Sequence, residues 1–266
     1  MSTHVQLRLL GGFEMSVSGC TAARWLPNKA RTLFAVLLVN AGHRVSKNRL
    51  EDLLWPDTGR PAGSSSLKVT VHGLRRELDA RLGSDRDCLR IDYRDSGYLL
   101  RIGDEVTVDF LELERLSRQA READRLGDPR TAAALYQRAT ACYHGEFLAG
   151  AAEDWVAEQR EWLCSMTVRT LDYLAEQCLT TGDLMGAAEY SRQTLTMDPA
   201  NEQAFRRIMW MHVSCGEADR VREWYNLCAR RLRERLEAEP GEPTRWLLEQ
   251  ALRSPVARLN EFAAHG

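Results

Sequence analysis

The chain has 266 residues, 44% of them hydrophobic, which is enough apolar material for two domains of ordinary size and excludes an extended disordered protein. Its formal net charge of −2 argues against nucleic-acid binding over the whole surface, but residues 1–106 carry sixteen Lys/Arg against twelve Asp/Glu and the remainder twenty against twenty-six. A basic module therefore precedes an acidic one. The seven cysteines, at 20, 88, 142, 164, 178, 215 and 228, form no C-x-x-C pair, and an odd number cannot all pair internally, so a reducing cytoplasm is the expected setting. No basic segment followed by an apolar stretch opens the chain and no run approaches 18 apolar residues, so neither export nor membrane insertion is expected.

Val5–Leu10 and Phe13–Ser18 read as two short strands joined by a tight turn at Gly11-Gly12. Pro27-Asn28 opens a helix to about Ala41, with Asn28 as N-cap, an apolar stripe of Leu33, Phe34, Leu37 and Leu38, and Gly42 as terminator. Lys29 and Arg31 lie in its first turn, where cations oppose the helix dipole; a phosphate contact and ordinary solvation both account for them. Ser46 caps a second helix, Lys47 to Leu54, whose Leu50, Leu53, Leu54 and Trp55 face inward. The following Pro56–Gly63 (PDTGRPAG) breaks the chain.

Ser64–Leu82 (SSSLKVTVHGLRRELDARL) carries the densest pattern. Leu67, Val71, Leu74, Leu78 and Leu82 recur at spacings of three and four, a single apolar helical stripe. Opposite it fall Ser65, Val69, His72, Gly73 and Arg76, with Lys68 and Arg75 together on one flank. The leading serines offer an N-cap and backbone N–H groups, both favourable to a phosphate. The stretch reads as a DNA recognition helix; taken alone, an amphipathic helix with a solvated basic side fits equally well. Val69-Thr70-Val71 also alternate as a strand would, but the continuation to Leu82 decides for helix. Gly73 costs about 1 kcal/mol in a helix, which suggests a large group approaching the backbone there, although chance tolerance is also open.

Cys88–Ile102 (CLRIDYRDSGYLLRI) alternates, with Leu89, Ile91 and Tyr93 on one side, a turn at Asp95-Ser96-Gly97, and Tyr98, Leu100 and Ile102 returning. Strands, three helices and a terminal hairpin make a winged helix-turn-helix. Arg94 at the hairpin tip is either a minor-groove arm or a solvated arginine.

From Val108 onward the spacing is helical: Phe110–Leu126, Arg130–Tyr143, Asp154–Thr181, Leu184–Thr196, Asn201–Ser214, Ala218–Glu237 and Thr244–Leu252. Gly182-Asp183 and Gly216-Glu217 stand 34 residues apart, the tetratricopeptide period, and Ala187 and Pro199 match that repeat, whereas Val221 replaces its next alanine. The expected fold class is thus an α+β winged helix-turn-helix followed by an all-α tetratricopeptide-like solenoid of about three helix pairs. Trp155, Trp162, Trp210, Trp224 and Trp246 take helix-packing positions, and Glu153-Asp154 an acidic helix start. The six histidines are scattered, no H-E-x-x-H, G-x-S-x-G, G-x-G-x-x-G or phosphate-loop motif is present, and neither enzyme activity, metal nor cofactor is expected.

With these residues assembled, the chain resembles the Streptomyces antibiotic regulatory protein family of transcriptional activators. The resemblance rests on LRLLGGFEM (Leu7 to Met15), PNKARTLFAVLLVNAGHRVSKNRLEDLLWPD (Pro27 to Asp57), SSLKVTVHGLRRELD (Ser65 to Asp79), SGYLLRI (Ser96 to Ile102), VDFLELERL (Val108 to Leu116) and EPGEPTRWLLEQAL (Glu239 to Leu252). It implies an OmpR-type winged helix over 1–106, a bacterial transcriptional activation domain over 107–253 and a tail at 254–266. It further implies a cytoplasmic activator of a secondary-metabolite gene cluster that binds promoter direct repeats as a homodimer on DNA and recruits RNA polymerase through its σ subunit. By position, Lys68, Val69, His72, Arg75 and Arg76 would read DNA, with phosphate contacts from Lys29, Arg31, Ser65, Ser66 and Thr70 and a wing contact from Arg94. Asp57 and Arg60, the charges of the loop before the recognition helix, would meet the polymerase. Without a receiver domain in the sequence, control by expression level or by a ligand is expected rather than phosphorylation in cis. Two further readings stay open: a DNA-binding repressor, and an interaction adapter whose winged helix only packs.

Overall fold

The computed structural model describes residues 4–23, 25–56 and 64–253. These group into two units. Unit 1 takes the described residues up to Arg115 together with Cys142–Arg160, and unit 2 takes Leu116–Ala141 and the described residues from Glu161 onward. The division differs from a cut at residue 106, because a segment of the helical half returns to the N-terminal sheet.

In chain order, unit 1 contains β1 (Val5–Arg8), β2 (Glu14–Val17), β3 (Cys20–Ala23), α1 (Asn28–Val39), β4 (Arg44–Ser46), α2 (Lys47–Leu54), α3 (Ser64–Leu82), a 3₁₀ segment (Gly83–Cys88), β5 (Leu89–Arg94), β6 (Gly97–Ile102) and β7 (Val106–Val108). The first sheet runs in the order β3-β2-β1-β7, with β7 parallel to β1 and the other pairs antiparallel. Val5 and Leu7 are buried while Gln6 and Arg8 are exposed, the alternation of a sheet with one covered face. The second sheet, β4-β6-β5, is antiparallel throughout. Three of these strands were not anticipated. β3 is four residues long and β4 and β7 only three, too short to show a period.

The helices follow their sequence signals closely. Ser46 caps α2 by accepting the Arg49 N–H at 3.3 Å. At α1 the expectation of an Asn28 cap is corrected: Pro27 takes the cap position, Asn28 is the first helical residue, and no side chain caps the end. In α2, Leu50 and Leu54 are buried but Leu53 and Trp55 only half so, and Glu51 is buried at 8% exposure, a position periodicity did not single out. The α3 stripe is as expected: Leu67, Val71, Leu74, Leu78 and Leu82 are all buried, together with Leu33, Phe34, Leu37 and Leu38 of α1. Burying one such side chain contributes about 1.5–3 kcal/mol, so the stripe outweighs the cost of Gly73 several times over.

The returning segment is held by specific bonds. Leu10 bridges Phe147, the Gly11 N–H donates to Glu146 O at 2.9 Å, and the Leu148 N–H donates to Leu9 O at 2.8 Å. Gly11 has φ +83°, and a Cβ there would stand 2.7 Å from His144 O, so only glycine permits this approach. The Asp109 carboxylate accepts the N–H groups of Leu9, Leu10 and Phe110 at 2.7–2.8 Å, fastening the start of α4 (Asp109–Arg125) to the end of β1. Phe147 packs edge-on to Phe110 and Trp155.

Unit 2 is helical: the later part of α4, α5 (Pro129–Thr140), the later part of α6 (Asp154–Thr180), α7 (Leu184–Met197), α8 (Glu202–Ser214), α9 (Ala218–Leu236) and α10 (Glu242–Arg253). The Gly-Asp punctuation has a mechanical reason. Gly127 and Gly182 leave a helix with φ +78°, and the next residue, Asp128 or Asp183, caps the following helix by accepting the Thr131 or Gly186 N–H. The third pair differs, since Glu217 makes no cap and lies 2.6 Å from the His212 ring nitrogen. Ala187 and Val221 are both fully buried, so the repeat position accepts valine as core. Ala204, Phe205, Ile208, Cys228 and Leu232 form one apolar cluster, and Met209, Val221, Leu247 and Ala251 another. Glu202 holds the start of α10 by accepting the Gly241 N–H at 2.7 Å and the Thr244 hydroxyl. The tryptophan expectation is corrected in part: Trp224 packs against both clusters, but Trp162, Trp210 and Trp246 are exposed. No helix among the described residues is long and apolar enough to cross a membrane.

Candidate nucleic-acid interface

α3 presents a divided surface. Its apolar stripe faces α1, and on the other side Lys68, Val69, His72 and Arg76 are exposed, Val69 at 70%. Gly73 is not crowded: a Cβ there would have open space among the described residues. Among the described residues Arg76 makes one ion pair, with Glu77 at 3.9 Å, a solvent-exposed pair worth little.

Three of the sequence-predicted contacts have other employment. Arg75 is half-buried and donates to the Ile91 carbonyl at 2.7 Å, joining α3 to β5. Its guanidinium lies near the buried Tyr98 phenol, whose pKa desolvation raises and the cation partly lowers. Lys29 donates to the Leu54 carbonyl and lies 5.9 Å over the Trp55 ring, so it caps the C-terminus of α2. The Thr70 hydroxyl donates to Ser66 O at 2.9 Å, the usual back-bond of a helical threonine. Arg31 is half-buried and lines a cavity of unit 1. Ser66 is half-buried near the start of α3. Ser65 lies in α3, but its side chain, like Asp57 and Arg60, falls outside the described residues.

The hairpin after α3 turns through Asp95 and Ser96, both with positive φ, the two-residue turn whose twist suits a hairpin. Arg94 is exposed just before that turn. The neighbouring cations have partners within the protein: Arg90 and Arg101 share the Asp92 carboxylate at 3.0 Å and 2.7 Å, and Arg44 donates to the Asp95 backbone carbonyl at 3.0 Å. Tyr93 is 55% exposed, its ring 5.0 Å from its cross-strand partner Tyr98. The alternation of β5 had placed Tyr93 with the core; its nearness to the hairpin end was the available sign that it would outrun the core.

A winged helix with one open, cationic helix face and a helical repeat unit in the same chain define a transcription regulator of modular type. Residues 108–253 match the family model of the bacterial transcriptional activator domain, more than half of the chain. The chain belongs to that family and is a transcriptional regulator of the Streptomyces antibiotic regulatory protein type. It is similar to regulatory protein DnrI of Streptomyces peucetius, with 28% identity over 149 residues. That alignment covers 54% of this chain and 53% of the relative, so the chain spans about half the length of the curated relative it matches. Among solved structures it is similar to Mycobacterium tuberculosis EmbR, determined in complex with a low affinity phosphopeptide. The TM-score is 0.74 at 21% identity, covering 100% of this chain and 70% of that one, a likeness of fold.

Proposed function

We propose that the chain is a sequence-specific DNA-binding transcriptional activator of a secondary-metabolite gene cluster, acting in the cytoplasm. It would bind promoter direct repeats as a homodimer on DNA and recruit RNA polymerase through its σ subunit. The observation that carries the reading is the division of α3: five buried apolar residues on one side, and Lys68, Val69, His72 and Arg76 open on the other. In this reading Arg76 would meet a guanine edge, His72 and Val69 neighbouring bases, Lys68 and the Ser66 end of the helix phosphate, and Arg94 the minor groove beside the wing. Arg75, Lys29 and Thr70 leave the contact set, since their side chains already serve the protein.

Footprinting of the promoters next to its gene tests this reading. Protected direct repeats spaced by about 10–11 base pairs or a multiple are expected. Affinity independent of sequence would favour the interaction-adapter reading instead. Run-off transcription with and without the protein separates activation from repression.

A further inference from the structure

Arg31 stood out in the sequence because a cation in the first turn of α1 opposes the helix dipole. The Leu54 carbonyl and the Trp55 ring account for its neighbour Lys29. For Arg31 no such account exists: among the described residues its guanidinium meets no hydrogen-bond or ion-pair partner. It lines instead a cavity of about 240 Å³ within unit 1, together with Phe13, Asn28, Thr32, Leu148 and Glu153.

The opposite charge on the same cavity is held in place without Arg31. Glu153 Oε2 accepts the Ala152 N–H at 3.0 Å, and Oε1 lies 3.2 Å from the Thr32 hydroxyl. That hydroxyl also lies 3.1 Å from Asn28 O, and its single proton cannot serve both acceptors fully. Oε1 therefore keeps capacity for a further donor. Phe13 is half-buried, its ring fixed by Trp25 at 6.0 Å and Phe34 at 6.3 Å. A rigid ring, a guanidinium and a carboxylate thus border one space, and the two charges form no ion pair with each other.

We propose that this cavity binds a small zwitterion, an amino acid with an aromatic or apolar side chain. Its carboxylate meets Arg31 and the Asn28 amide, its ammonium meets Glu153, and its side chain lies against Phe13 and Leu148. A simple anion would face Glu153 and a simple cation Arg31, so only a ligand carrying both charges satisfies both walls. The volume agrees, because a cavity of about 150 Å³ holds benzene, leaving room for the two charged groups.

Calorimetric titration of the full chain without DNA tests the proposal, using L-phenylalanine, 3-phenylpropionate and phenethylamine as probes. Saturable binding of L-phenylalanine is expected, at least about tenfold tighter than either single-charge analogue. Arg31→Gln abolishes the preference for L-phenylalanine over phenethylamine, and Glu153→Gln abolishes that over 3-phenylpropionate. Absence of binding at millimolar L-phenylalanine, equal affinity for all three compounds, or preferences unchanged in both variants would overturn it. Should a variant fail to fold, the ranking of the three compounds on the unaltered chain decides alone.

Discussion

The cations of the two units are used differently. In unit 2 arginine after arginine is matched to an acid on its own helix, a neighbouring helix or the following loop: Arg207 with Asp172 at 2.6 Å, Arg220 with Glu223 at 2.8 Å, Arg222 with Asp219 at 3.1 Å, Arg233 with Glu239 at 2.8 Å. In unit 1 some cations brace the fold, but Lys68, Arg76 and Arg94 are left open to solvent. Net charge alone does not separate the units, since each carries eighteen Lys/Arg against nineteen Asp/Glu. Pairing does separate them, since a closely paired arginine projects less field than one left open, which attracts phosphate. The comparison teaches that the partners of each charge, and not its count over a unit, locate a surface.

The largest effect lies in the core beneath the open face. Leu74→Ala should cost about 2–5 kcal/mol of stability through the cavity it leaves, whereas Val69→Ala on the opposite side should stay within about 0.5 kcal/mol. Denaturant titration reads both, and similar losses would contradict the division of α3. Next, Arg207→Leu in unit 2 removes a cation only 6% exposed and should cost about 2–3 kcal/mol, reduced from a fully buried pair because Asp172 keeps some solvent. An unchanged midpoint would mean that the unit 2 pairs are ornamental.

Arg75 and Arg76 provide the most direct break of the comparison. Arg76→Ala should lower affinity for a cognate site by about 1–3 kcal/mol at unchanged stability, and Arg75→Ala should lower stability by about 1–2 kcal/mol through its lost bond to the Ile91 carbonyl. Gel-shift titration beside thermal melting distinguishes them; the reverse assignment of effects would return Arg75 to the contact set. The smallest effect is chemical. Burial pushes the Cys228 thiol up to about 12 and raises Cys88, while Cys20 and Cys215 are exposed. Alkylation near pH 8 should modify Cys20 and Cys215 and spare Cys228 until the chain unfolds. Because the folded thiol of Cys228 is raised above its ordinary value of 9.0, the stability linked to it is complete below pH 9 and lost as pH climbs toward 12. Early labelling of Cys228 would show unit 2 opening locally.

What the amino-acid sequence determined by itself is whatever repeats within one element. The stripe of α3, the ranges of α4 to α10 and the Gly-Asp junctions follow from spacings of three and four and from caps, and the structure keeps them nearly residue for residue. These are legible because burial along a helix depends on neighbours four residues away. Tertiary structure decided what depends on residues far apart in the chain. β7 finds β1 across about a hundred residues, and residues 142–160 join unit 1 through bonds to Leu9 and Gly11. The same holds for single cations. Lys29, Arg31, Arg75 and Arg76 look alike in the sequence, yet one caps α2, one borders a cavity, one ties α3 to β5, and one stays open. A charge on a long flexible side chain takes its role from whichever acceptor the fold brings within about 3 Å, and no local period records that distance.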